Sequence, residues 1–287
     1  MNIYSIADAT KPYTDYDMIR DHTELPEFPN FRTQLLYTFL RKQSSYADQS
    51  ELYSIVVSLA QLGLDTHDLV SETNERKEKK EARSRQMKVL AGDYFSSRFY
   101  HLLSQAGQVE MTRGIAAAIC EVNRLKMNLY SRMRQWKMTT DEYMRFSVDI
   151  RMQLYLTFSK ALEGLKPNSW HDMLQGYTQC EVLLNELGRI ERERDFRCGW
   201  AFWHLLQIGT KEERKQLQNG DTDPGKLRSL LHKYNVKATL FQMLETQFKL
   251  LSDKIRQFDS EKLVGELYQI GEPFARALTA PRVLEEV

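Results

Sequence analysis

The sequence has few cysteines and almost no net charge, and both features exclude classes of protein. Its three cysteines, Cys120, Cys180 and Cys198, are too widely spaced for a CxxC pair or a Cys/His ligand set. A disulfide framework and a structural zinc site are therefore not supported. Lys and Arg number 40 against 39 for Asp and Glu, so the composition gives no reason to expect nucleic acid as a partner.

Long apolar runs are also missing. The longest apolar stretch, at 52–64, is shorter than the ~20 residues that a bilayer span needs, so we do not expect a transmembrane protein. The N-terminal residues contain early acids and no apolar run before a small-residue cleavage site, so no signal peptide is expected. No P-loop, Rossmann glycine fingerprint or HExxH pattern occurs. We predict a cytoplasmic protein without a nucleotide-binding or metalloprotease motif.

Helical periodicity is abundant. From residue 31 onwards apolar residues recur at three- and four-residue spacing, and no alternating run typical of strands competes. Capping boxes that begin at Thr139 and Thr210 mark two helix starts. We therefore predict an all-α fold, with a proline-containing irregular arm over 1–30 and a single-domain bundle of roughly ten helices over 31–287.

One predicted helix has a glycine-aspartate pair near its first turn. The stretch is KVLAGDYFSSRFYHLLSQ at 88–105, and glycine costs ~1 kcal/mol relative to alanine inside a helix. Gly92 would let another backbone approach closely, and Asp93 would suit the positive end of the helix dipole. The stretch resembles the "LAGD" segment of the trans-polyprenyl diphosphate synthases, which opens the helix after their first aspartate-rich motif. Weaker patterns extend the resemblance over about 48–280, and it implies an isoprenoid-synthase-like fold.

The resemblance also implies two aspartate-rich motifs, because the departing diphosphate must be neutralised by Mg²⁺ held on carboxylates. At the first position the chain has the single aspartate Asp68 where the family has an adjacent pair. Asp65, Asp68 and Glu72 share one helical face and are weak candidates for a metal site; a polar face or a cap is the alternative. At the second position, 179–186, apolar residues stand where the carboxylates should fall.

A fold signature without the catalytic signature resembles the non-catalytic component of bacterial heptaprenyl diphosphate synthases. That resemblance implies an accessory subunit that binds no cofactor itself and is active only as a heteromer. Its partner would carry both aspartate-rich motifs and the Mg²⁺, and the product would supply the menaquinone side chain. Two other hypotheses stay open: a self-sufficient isoprenoid enzyme with a degenerate metal site, and a helical adaptor unrelated to isoprenoids.

The family's dimer face gives the candidate interface. There, the helix opened by "LAGD" and the next one pack against the product tunnel, and they correspond here to 88–105 and 109–135. A surface on these helices would contact the partner and form a wall for the growing prenyl diphosphate chain; the alternative is that its residues fill this chain's own core. The implied residues are Gly92, Phe95, Phe99, Leu102, Gly114, Ile115, Ala118, Ile119 and Val122.

Overall fold

The structure is a computed structural model that describes residues 5–70, 79–163, 169–192, 196, 199–220 and 223–279. Within these ranges the chain forms fourteen α-helices and no strand, which confirms the all-α prediction. No helix in the same ranges is long and apolar enough to cross a membrane. The number of helices exceeds the roughly ten predicted partly because several are only one or two turns long.

In chain order the helices are α1 (Ile6–Thr14), α2 (Asp17–Arg20), α3 (Asn30–Leu40), α4 (Ser50–Asp68), α5 (Lys79–Gln105), α6 (Val109–Arg134), α7 (Thr140–Leu156), α8 (Ser159–Leu162), α9 (Ser169–Glu191), α10 (Trp200–Ile208), α11 (Lys211–Asn219), α12 (Pro224–Lys233), α13 (Val236–Ile255) and α14 (Glu261–Thr279). Contacts group the chain into two compact units. The first comprises Met1–Val122 and Gln153–His171, and the second comprises Asn123–Met152 and Asp172–Val287.

The first unit is built around α4, which packs against α3 and α5. Most side chains of α4 are buried, because apolar residues surround nearly its whole circumference. Residues that are completely buried here include Leu35, Phe39, Val56 and Leu59. This central position of α4 fixes its C-terminal end, where the first aspartate-rich motif was expected.

The N-terminal arm was predicted to be irregular, and that prediction is wrong for the residues that form α1 and α2. Ser5 caps α1 by accepting a hydrogen bond from the backbone N–H of Asp8 at 3.2 Å, and Ile6 is completely buried. Pro12 lies inside α1, which explains why proline content misled the prediction. The arm is therefore part of the packed first unit.

The second unit contains α10 to α14 and most of α9. The hydroxyl of Tyr177, on α9, donates to the backbone carbonyl of Leu267, on α14, at 2.5 Å. Both predicted capping boxes are present: Thr139 and Glu142 cap α7, and Thr210 and Glu213 cap α11. Helix α7 ends at Leu156, and a short turn precedes α8.

Candidate functional site

Helices α4 and α5 cross very closely at two glycines. A Cβ built on Gly63, in α4, would lie 3.2 Å from the carbonyl oxygen of Gly92 and 2.9 Å from Oγ of Ser96, both in α5. A Cβ on Gly92 would lie 2.6 Å from the imidazole of His67. Distances this short leave no room for a side chain at either glycine without a shift of its neighbours. The close approach predicted for Gly92 therefore joins two helices of this chain.

Asp93 does not lie at a helix start. The described part of α5 begins at Lys79, so Gly92 and Asp93 stand in the middle of a long helix, and the prediction that the helix opens near residue 88 is wrong. Lys, Arg, Glu, Gln and Ala are strong helix formers, and they extend the helix through 79–87 although its apolar periodicity is weak. One carboxylate oxygen of Asp93 lies 3.5 Å from Nε2 of His67. The pair links α5 to the last turn of α4.

The acidic residues at the end of α4 have different surroundings. One oxygen of Asp65 accepts a hydrogen bond from the Gln61 amide at 2.8 Å, and the carbonyl of that amide accepts from the buried guanidinium of Arg32 at 3.2 Å. Asp68 is exposed, while Glu72 lies outside the described residues. In the part of the chain that the structure covers, no three His, Cys, Asp or Glu side chains are grouped to hold a metal ion. A metal site at Asp65, Asp68 and Glu72 stays a prediction.

The second motif position lies on α9, where a buried carboxylate has a different role. Glu186 accepts hydrogen bonds from the hydroxyl of Tyr143 at 2.8 Å and from the backbone N–H of Trp200, the first residue of α10, at 2.7 Å. The Nε of Arg189 lies 3.4 Å from the same carboxylate. Burial and the neighbouring Glu186 charge raise the pKa of Tyr143 above its usual range. Glu186 thus holds α7, α9 and the start of α10 together.

The second motif segment of α9 holds one more acidic residue, Glu181, which is also buried, and its other residues between Gln179 and Glu186 are uncharged. Burial raises the pKa of the Cys180 thiol to about 12, so it stays protonated at physiological pH. Gln179 and Leu183 line a cavity of about 410 Å³, in which the Gln247 amide donates to the Gln179 carbonyl at 2.5 Å. The remaining lining residues, from α7 and α13, are Met144, Thr239, Gln242, Met243 and Thr246. No charged side chain is among these lining residues, so the cavity offers neither a carboxylate for Mg²⁺ nor a cation for diphosphate.

The candidate interface residues lie at different depths. Six are buried inside the first unit, and three, Leu102, Gly114 and Ile119, are half-buried. A Cβ on Gly114 would lie 2.7 Å from the methyl group of Thr157, so this glycine also accommodates a neighbour in its own chain. The six buried residues are Gly92, Phe95, Phe99, Ile115, Ala118 and Val122. In the chain as described, these six contribute to its own core and leave the outward faces of α5 and α6 to other side chains.

The outward faces carry apolar residues that the sequence reading did not select. Leu90 and Tyr100, on α5, are 60% and 43% exposed, and Val109, on α6, is 65% exposed. Leu90 lies one turn before Asp93 on the same side of α5, and Tyr100 lies two turns after Asp93. We name these three apolar side chains, Leu90, Tyr100 and Val109, the outer apolar residues. The sequence could have indicated Leu90 and Tyr100 as apolar residues of α5 whose helical spacing does not match that of Phe95 and Phe99.

Comparison with solved structures defines the class of fold. The chain superposes on geranylgeranyl pyrophosphate synthase from Lactobacillus brevis with a TM-score of 0.71 and 12% identity, covering 94% of this chain and 96% of the other. A decaprenyl diphosphate synthase from Rhodobacter capsulatus gives a TM-score of 0.63 and 16% identity over 95% and 98%. The fold is that of the all-α polyprenyl synthases.

Comparison of sequences narrows the class to a family. Residues 16–234 match the model of heptaprenyl diphosphate synthase (HEPPP synthase) subunit 1. Heptaprenyl diphosphate synthase component 1 from Geobacillus stearothermophilus is 35% identical over 183 residues, which are 61% of this chain and 76% of that protein. The chain belongs to the heptaprenyl diphosphate synthase subunit 1 family.

Proposed function

We propose that the chain is the accessory subunit of a heteromeric long-chain trans-prenyl diphosphate synthase that makes heptaprenyl diphosphate for the menaquinone side chain. The partner subunit carries both aspartate-rich motifs, binds Mg²⁺ and performs the transfer in the cytoplasm. This chain is required for activity and helps to shape the tunnel that receives the growing hydrocarbon. Membership of the subunit 1 family supports the proposal.

The composition of the second motif position supports different roles for the two subunits, with catalysis in the partner alone. The second motif position retains its helix and a cavity, but its lining residues, such as Gln179 and Leu183, are uncharged. The nearby carboxylate of Glu186 is occupied by Tyr143 and the Trp200 N–H. Mg²⁺ and the departing diphosphate need several carboxylates at one point, and their lack at this position supports a second chain that supplies them.

The partner surface in this proposal lies on the outward faces of α5 and α6. Stable subunit interfaces are rich in apolar and aromatic side chains at their centre, and the outer apolar residues Leu90, Tyr100 and Val109 fit that composition. Leu102, Gly114 and Ile119 are half-buried and can extend it. A wall of such residues beside the partner's tunnel would limit how far an apolar chain can grow.

Co-expression tests the assembly directly. The chain is expressed with a synthase that carries two intact aspartate-rich motifs, and the purified complex is assayed for the length of its prenyl product. We expect a stable heteromer that makes a long-chain product, whereas failure of the two chains to co-purify would contradict the proposal.

A second comparison separates the accessory role from a self-sufficient enzyme. Asp68→Asn should reduce the activity of the complex far less than the loss of any one aspartate in the partner's motifs, because Asp68 is exposed and no metal cluster surrounds it among the described residues. Mg²⁺ binding by the isolated chain, lost in Asp68→Asn, would instead favour the degenerate metal site. An adaptor unrelated to isoprenoids would form complexes that prenyl substrates never affect.

A further inference from the structure

The end of α6 and the turn after it form the most basic stretch of the described chain. Residues 123–137, NRLKMNLYSRMRQWK, contain five basic residues and no acidic residue, although the formal net charge of the whole chain is only +1. Arg132 is partly neutralised, because it forms a salt bridge with Glu142 of α7. The other basic residues of the stretch are Arg124, Lys126, Arg134 and Lys137. Arg134 and Lys137 give the end of α6 and the turn after it a local positive charge that attracts anions.

Apolar and aromatic side chains are exposed among these cations. Met127 is 66% exposed and Tyr130 is 47% exposed, and with Arg134 they occupy positions i, i+3 and i+7 on one face of α6. The guanidinium of Arg134 lies 5.8 Å from the centroid of the Tyr130 ring, within the range of a cation–π contact. A solvated helix face would normally alternate acids with bases and would not expose a methionine beside a tyrosine.

Trp136 lies in the turn directly after α6, two residues beyond Arg134, in an unusual backbone conformation. Its φ of +56° lies in the left-handed region, which is unfavourable for a bulky side chain. Its ring centroid lies 6.0 Å from that of Phe202 and 6.2 Å from that of Trp203, both buried, yet Trp136 remains 48% exposed. The indole therefore packs against two buried aromatic rings and exposes the rest of its surface to solvent.

We propose that this surface docks the chain on an anionic membrane. We call it the basic aromatic face and define it by Met127, Tyr130, Arg134, Trp136 and Lys137. Tryptophan and tyrosine favour the boundary between water and hydrocarbon, and Arg and Lys beside them bind lipid headgroups while their stems cover apolar surface. Protein interfaces are also rich in Tyr, Trp, Met and Arg, so vesicle binding by the heteromer is one of the tests below. The inference does not depend on the proposed function.

Tryptophan fluorescence gives a specific readout. The chain has four tryptophans, and Trp170, Trp200 and Trp203 are at most 3% exposed, so a blue shift of emission on membrane contact reports on Trp136. The full chain, alone and in its heteromer, is titrated with vesicles of phosphatidylcholine, with or without phosphatidylglycerol, at low and high salt. We expect a blue shift and co-sedimentation with the anionic vesicles only, weakened by salt.

Matched variants locate the binding surface. Arg134→Gln with Lys137→Gln should weaken binding to anionic vesicles by roughly 30-fold, about fivefold for each charge, and Trp136→Asn should abolish the blue shift while tolerating the left-handed backbone. Lys211→Gln with Lys215→Gln removes the same charge from exposed positions on α11 and should leave binding unchanged. Variants are compared only after their thermal unfolding has been measured.

Four results would overturn the inference. They are equal binding to neutral and anionic vesicles, an equal loss of binding in the α11 control, absence of vesicle binding by the heteromer, and tighter binding of single-stranded RNA than of anionic vesicles. The third would assign the face to the partner subunit and the fourth to nucleic acid. Activity of the heteromer is measured separately, so failure of the membrane inference and failure of the proposed function are distinguishable.

Discussion

The imidazole of His67 lies 2.6 Å from the position that a Cβ on Gly92 would occupy, and its Nε2 is 3.5 Å from a carboxylate oxygen of Asp93. One side chain at the end of α4 thus accounts for both members of the glycine-aspartate pair in α5. The glycine makes room for the ring, and the aspartate places a carboxylate oxygen beside its Nε2. The pair connects the helix of the first motif to the next helix, so it is a structural element that can persist without catalytic residues.

Replacing this glycine should destabilise the chain through a clash with a single partner. Gly92→Val should lower the free energy of unfolding by about 1–3 kcal/mol, the usual cost of overpacking, and the midpoint of urea unfolding measures it. His67→Ala in the same chain should recover part of the loss, because it removes the ring. Gly265, in α14, has open space around it, so Gly265→Ala should instead be neutral or stabilising by up to about 1 kcal/mol. A Gly92→Val protein as stable as the parent would refute this account of the pair.

A carboxylate in the second unit should give stability a defined pH dependence. Glu213 accepts from Lys233 at 2.7 Å, from the Tyr234 hydroxyl at 2.7 Å and from the Thr210 N–H at 2.8 Å, and these bonds lower its pKa from 4.5 to about 2. Because the folded state holds the charged form, its contribution is complete above pH 4.5 and is lost as the pH falls towards 2.

Glu213→Gln should therefore cost about 1 kcal/mol or more at neutral pH, and its difference from the parent should shrink as the pH falls from about 5 to 2. Urea unfolding at a series of pH values measures the effect. Glu212→Gln, at the exposed neighbouring position, serves as the control and should change little. A deficit that stayed constant throughout this pH range would show that the ionised carboxylate is not responsible.

The buried and outward residues of α5 and α6 should respond differently to truncation. Phe99→Ala should lower stability by about 3–5 kcal/mol, because the ring is completely buried. Leu90→Ala, Tyr100→Ala and Val109→Ala should leave the stability of the chain nearly unchanged but weaken its association with the catalytic subunit or shift the product length. Thermal unfolding, size-exclusion chromatography and product analysis separate these effects. Normal assembly and an unchanged product in all three surface variants would move the partner surface elsewhere.

Features that depend on residues a few positions apart were predictable from the sequence. The capping boxes at Thr139 and Thr210 occur as predicted, because a cap depends on residues three positions apart. The start of α5 was placed too late because its first turns are charged and lack an apolar stripe.

Features that depend on tertiary packing were not predictable. Apolar spacing cannot distinguish Phe95 and Phe99, which point into the first unit, from Tyr100, which points outward, because all three are apolar residues of one helix. Nor could spacing reveal that Glu186 is used by Tyr143 and the start of α10, since those partners are distant in sequence. The lack of aspartates at the second motif was visible in the sequence, whereas the role of Glu186, one of the two glutamates that remain there, required the structure.

The most direct test of the accessory role is turnover with isopentenyl and farnesyl diphosphates in the presence of Mg²⁺. The purified chain, the purified partner and their mixture are assayed side by side at equal concentrations. We expect no prenyl diphosphate from this chain alone and long-chain product from the mixture, because the partner must supply the carboxylates that hold Mg²⁺. Robust turnover by the isolated chain would contradict it.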